Sequence, residues 1–240
     1  MGAGIMLSAL LVPLLLRQGL VFTWGALGLL AVAATLIVAF LMPASTIPAA
    51  PKGEVAGKIS LPVLLLIIAY AGSALGFVPH MLFWASFVAI GLHRGVAAGA
   101  QVSAWLGVAA AIGPPILGRV ADRFGFLATM STGFAVMSAA VALPLVNDST
   151  LALDISAVGV GVIALGSVML ASGALAGMVP ANRLAASWGM ATMVYAVMQT
   201  LVAAGFSTLY HVTGRFSPLF ATGAVALLFC AALVRLAGRR

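Results

Sequence analysis

The stretch Gly118-Arg119-Val120-Ala121-Asp122-Arg123-Phe124-Gly125-Phe126 separates two long apolar runs, residues 97–117 and 127–146. It holds three of the fifteen charged side chains of the chain, which has 11 Lys and Arg and 4 Asp and Glu. The runs on either side are long enough to cross a membrane, so the stretch reads as a tight turn at a membrane face. Gly118 and Gly125 lack a Cβ, which lets the chain reverse sharply and lets two helices lie close. Asp122, just ahead of the run that starts at Leu127, is placed to cap free N–H groups at the positive end of a helix. Arg119 and Arg123 suit an anionic lipid surface or a carboxylate on a neighbouring helix.

Composition bounds the rest. The 240 residues are 64% hydrophobic and 6% charged, with a mean hydropathy of +1.24. A soluble domain carries about 25% charged residues. The class is therefore an all-α, polytopic membrane helical bundle. Long continuous apolar runs, without alternation, argue against a β-barrel. The net charge of +7 is not a nucleic-acid signal, because the basic residues stand singly between apolar runs. The one cysteine, Cys230, lies inside the last run and reads as packing. Residues 1–16 have no basic leader, so no cleavable signal peptide is expected.

Spans are expected at 1–16, 20–42, 61–90, 97–117, 127–146, 155–177, 188–210 and 217–235. The first is short: at about 1.5 Å per residue it covers about 24 Å of a core about 30 Å thick. The third is long, with a bend expected at Pro79 and the part after His80 running out along the surface. On this count Lys52, Lys58, Arg119, Arg123, Arg183, Arg235, Arg239 and Arg240 fall on one side, and Arg17, Arg94 and Arg215 on the other. Eight against three places both termini in the cytoplasm. Splitting the long run at Pro79 gives seven against four at best, so a single bent helix is preferred. Residues 43–60, with Pro43, Pro48, Pro51, Lys52, Glu54 and Lys58, are the one real linker.

The turn at Gly118, Arg119, Asp122, Arg123 and Gly125 resembles the signature Gly-x-x-x-Asp-Arg-x-Gly loop of the major facilitator superfamily of secondary transporters. Further stretches resemble its YbfB/YjiJ-type branch. These are Gly4 to Ser8 followed by Val12-Pro13, Tyr70 to Phe77, Val179-Pro180-Ala181 leading to Trp188-Gly189, Gln199, and Gly214 followed by Ser217 and Phe220. Phe126, where a basic residue usually ends the turn, and Met198, where the branch usually has glycine, depart from the pattern. The resemblance implies that residues 1–42 are the last two helices of an N-terminal half, the first of them truncated. Residues 43–60 are then a cytoplasmic linker and 61–240 a six-helix C-terminal half. It also implies that the family's first four helices are missing. The expected function is secondary transport of a small solute by alternating access, as an inner-membrane permease that this chain leaves incomplete. The alternative is a non-transporting fragment or subunit completed by another chain. The expected partners are the lipid bilayer, a small-molecule substrate and those missing helices or a second chain.

Two polar and aromatic faces are candidates for a substrate cavity. Tyr70, Ser73, Phe77, His80 and Trp84 are spaced to share one helix face, with His80 as a hydrogen-bonding or proton-exchanging group or as an interface residue. Trp188, Thr192, Tyr195 and Gln199 share another, where the Gln199 amide needs a partner in lipid, either a substrate or a neighbouring helix. Gly159, Gly166 and Gly173 recur every seven residues as a close-packing stripe. Asp148 and Asp154 are read as flanking an outer loop, which leaves no carboxylate at membrane depth. Ser172 with His211 is too weak a pair to support a hydrolase, so no enzyme activity is expected. Neither metal ligands nor a cofactor motif is present in the sequence, and no cofactor is expected.

Overall fold

A computed structural model describes residues 11, 12, 14–41 and 59–239. Among these residues the chain forms seven helices long and apolar enough to cross a membrane, and no strand. They are α1 (Leu20–Leu41), α2 (Leu61–Gly91), α3 (Gly95–Phe124), α4 (Phe126–Val146), α5 (Thr150–Met178), α6 (Ala181–Thr213) and α7 (Ser217–Ala237). The chain is thus an all-α, multi-pass membrane protein. The 1–16 run and the 43–60 linker fall mostly outside the described residues.

Several helices are longer than their apolar runs. α3 continues seven residues past 117, so Gly118 to Phe124 are helical and the turn reduces to Gly125. A helix satisfies its own backbone and need not stop where lipid does, whereas hydropathy marks only the depth of the lipid. Gly125 adopts φ 87° and ψ 150°, a region open almost only to glycine. Asp122 therefore sits in the last turn of α3, and the N-cap of α4 is Gly125, without a side-chain cap. The expected capping role of Asp122 is corrected.

α2 is one helix through Pro79, as preferred over two spans. Its path changes through two π-helical turns, Pro79–Phe83 and Phe87–Gly91. Proline cannot bond the carbonyl four residues back, and the wider turn absorbs the clash. The carbonyl left over, that of Leu75, presses against Gly223 of α7: a Cβ at 223 would lie 2.6 Å from it. The part after His80 does not run out along the surface. Trp84 and Val88 are buried, and Trp84 and Phe87 pack on Phe220.

Helices α2 to α7 share one core, with Met130, Phe134 and Met137 of α4, Leu153 and Leu170 of α5, and Phe220 and Leu227 of α7 at its centre. Small residues set the crossings. Gly113 meets the backbone of α5 at Val162, and Gly161 meets that of α3 at Leu106. The heptad-spaced glycines do the same work: Gly159 faces Ala140, Gly166 faces Leu117, and Gly173 faces the ring of Phe126. Large apolar side chains remain on the outside, among them Met193, Val197 and Leu201 of α6, as helices surrounded by lipid allow. α1 buries only Thr23.

Candidate functional site

The 70–84 face of α2 does not act as one wall: Tyr70 meets α6, whereas His80 meets α5. Two clusters result.

The first lies inside the bundle. His80 is 1% exposed; its ring stacks on Trp84 at 4.3 Å and meets the edge of Phe220 at 5.4 Å. His80 Nε2 is 2.8 Å from the hydroxyl of Ser156 on α5, and that hydroxyl donates to the carbonyl of Ala140 at 2.7 Å. Pro144 lies four residues past Ala140 and has no N–H, so Ser156 replaces the missing helical donor. A hydroxyl has one proton. With it committed to Ala140, Nε2–H of His80 is the donor and Ser156 Oγ the acceptor. His80 Nδ1 is then the bare ring nitrogen. It has no partner among the described residues, nor has Trp84 Nε1. His80 is thus packed inside the bundle. Ser156 and Pro144 were not singled out in the sequence; Pro144 inside an apolar run was the available signal, but its partner lies on another helix.

The second cluster joins α2 to α6. The ring of Tyr70 stacks on Tyr195 at 4.7 Å and lies 5.9 Å from Trp188. Tyr70 is covered, while Trp188 and Tyr195 are half-buried. One turn further along α6, Gln199 Nε2 donates to the sulfur of Met81 at 3.1 Å. A thioether is a weak acceptor, and Gln199 Oε1 has no donor among the described residues. Ser73 bonds back to the carbonyl of Tyr70, Thr192 bonds back to that of Trp188, and Phe77 is half-buried against the core. Tyr70, Trp188 and Tyr195 thus meet ring to ring, and Gln199 follows Tyr195 by one turn on the same helix with Met81 as its neighbour on α2.

A family model described as an uncharacterised MFS-type transporter, YbfB, matches residues 1–235. The chain belongs to this family. No curated protein and no solved structure matches it. Membership in a transporter family explains why buried polar groups occur in spans that lipid surrounds.

In this YbfB-type chain the signature turn is exposed. Arg119 donates to the carbonyl of Pro115 at 3.3 Å, and the Arg123 guanidinium lies 5.5 Å over the ring of Phe124. A Cβ at Gly118 would stand 3.4 Å from the sulfur of Met169 on α5, an ordinary contact. At the other end, Arg94 bonds Thr150 at 3.1 Å and the carbonyl of Asp148. Asp154 does not flank a loop: α5 begins at Thr150, so Asp154 lies in its second turn, with one carboxylate oxygen buried and unpartnered among the described residues. That corrects the reading of Asp154 as a loop residue. Ser172 and His211 cannot meet. Ser172 is near the end of α5, and His211 is thirty residues beyond the start of α6, about 45 Å away along the helix. Among the described residues no group of His, Cys, Asp and Glu is placed to hold a metal.

Proposed function

We propose that this chain takes part in secondary active transport of a small solute, with the solute bound against the Tyr70, Trp188, Tyr195 and Gln199 face. The observation that carries it is the Tyr70–Tyr195 stack at 4.7 Å, with Gln199 one turn further along α6 and its carbonyl oxygen without a partner among the described residues. Stacked tyrosines offer a flat apolar surface, and an amide supplies orientation, which together suit a small, flat, hydrogen-bonding solute. Family membership supports a non-enzymatic, transporting role. Movement by rocking of helical halves is the mechanism that this reading adopts.

The same reading places the protein in the plasma (inner) membrane with both termini cytoplasmic. Its support is the distribution of arginine: Arg119, Arg123, Arg183, Arg235 and Arg239 cluster at the helix ends shared by α3, α4, α5, α6 and α7, against Arg94 and Arg215 at the opposite ends. A second reading, a module that works only when completed by further helices, is favoured by one observation. α1 is long enough to span a membrane yet buries only Thr23.

The test is accumulation of a panel of labelled metabolites in proteoliposomes that contain the full chain. Uptake that is lost in Tyr195→Ala and Gln199→Ala, with folding intact, supports transport through this face. Uptake that neither substitution changes contradicts the site. Absence of uptake by the chain alone, with recovery on addition of a second polypeptide, supports the module reading.

A further inference from the structure

At the end of the bundle where α4 begins and α5 and α7 finish, the surface holds a groove of about 590 Å³. Its floor is made of small and apolar residues, among them Phe126, Gly173 and Gly177, and its rim carries Thr132, Arg235 and Arg239. Among the described residues no carboxylate lines it. Gly177 faces open space, with nothing within 4 Å of where a Cβ would stand. Arg235, in the last turn of α7, and Arg239, just past its end, both line the groove. A third, that of Arg123, lies over the ring of Phe124, which also borders the groove.

The depth of this groove in the membrane follows from helix length. α4 and α7 each have 21 residues, about 31 Å, which matches a hydrocarbon core about 30 Å thick. The start of α4 and the end of α7 therefore lie at headgroup level. The apolar floor extends from there towards the acyl chains.

We propose that this groove is a binding site for an anionic phospholipid, with its phosphate held by Arg235 and Arg239 and an acyl chain laid along Gly173 and Gly177. The arginines supply a charge that a zwitterionic lipid does not reward. The apolar floor supplies what a soluble anion cannot use. The site is distinct from the Tyr70–Gln199 face and does not depend on which solute is carried.

The test uses the full chain, purified in a neutral detergent and titrated with phosphatidylglycerol, phosphatidylcholine or inorganic phosphate. Binding is read by native mass spectrometry and by the shift in melting temperature. Phosphatidylglycerol binds and raises the melting temperature; phosphatidylcholine and phosphate do not. Arg235→Gln with Arg239→Gln weakens phosphatidylglycerol about 30-fold, with about one fifth of the affinity retained per arginine removed. Gly177→Leu, whose Cβ enters open space and whose side chain occupies part of the groove, blocks binding while the protein stays folded, and decides the matter should the arginine pair fail to fold. Equal binding of phosphatidylcholine, an equal shift with phosphate alone, or phosphatidylglycerol affinity unchanged by Gly177→Leu would overturn the proposal.

Discussion

Ser156 donates its hydroxyl to the carbonyl of Ala140 across 2.7 Å, filling the place from which Pro144 has removed a backbone donor. One side chain thus repairs a proline break in α4, ties α5 to α4, and fixes the tautomer of His80. In lipid there is no water to take over any of these bonds.

Ser156→Ala leaves the Ala140 carbonyl and His80 Nε2–H unpartnered. It is expected to destabilise the protein by about 1–3 kcal/mol for each buried group left unsatisfied. Pro144→Ala restores an N–H to Ala140, so the double variant recovers part of the loss. A double-mutant cycle by thermal or denaturant unfolding checks this, with a coupling of about 0.5–3 kcal/mol. Additive losses would show that Ser156 does not replace the missing donor.

Two classes of glycine are expected to respond oppositely to alanine. At Gly223 a Cβ would stand 2.6 Å from the Leu75 carbonyl, a backbone atom that cannot swing away. Gly223→Ala should cost about 1–3 kcal/mol. Gly189 and Gly205 of α6 face open space, and alanine there should be neutral or stabilise by up to about 1 kcal/mol. Melting temperatures of the three variants test the contrast.

The turn gives a third expectation. Gly125 holds a backbone conformation that other residues reach only with strain, so Gly125→Ala should cost about 1–3 kcal/mol. Gly118→Ala meets only the Met169 sulfur at 3.4 Å, an ordinary contact, and should be tolerated. Equal unfolding midpoints for the two variants would contradict the geometry of the turn.

Gln199 separates a structural role from a transport role. Its bond to the Met81 sulfur is weak, so Gln199→Leu should cost roughly 0.6 kcal/mol or less, in line with interhelical bonds in membranes. A loss of uptake far larger than such a change in stability is expected if the amide faces solute.

Much of the fold was legible from composition and apolar run length, because lipid admits few ways to satisfy a backbone. The heptad glycines read correctly as packing, since a small residue repeated on one face has little else to do. Helix ends were less legible: Asp154 and Asp122 fall within helices whose polar ends extend beyond the apolar run. The candidate site was legible only in part. Spacing put Tyr70, Ser73, Phe77, His80 and Trp84 on one broad face, but Tyr70 meets α6 and His80 meets α5, which spacing alone does not tell apart. Ser156 and Met81 lie 76 residues from His80 and 118 from Gln199 respectively, and no local pattern announces such pairings.

The account rests on alternating spans whose arginine-rich ends share one side. The direct measurement is labelling of single thiols by a membrane-impermeant maleimide in intact cells. The natural Cys230 is buried and should stay unlabelled. A thiol introduced by Arg215→Cys should react in intact cells, and one introduced by Arg123→Cys only after the membrane is opened. Reaction of Arg123→Cys in intact cells, with Arg215→Cys protected, would contradict the orientation and the transport reading built on it.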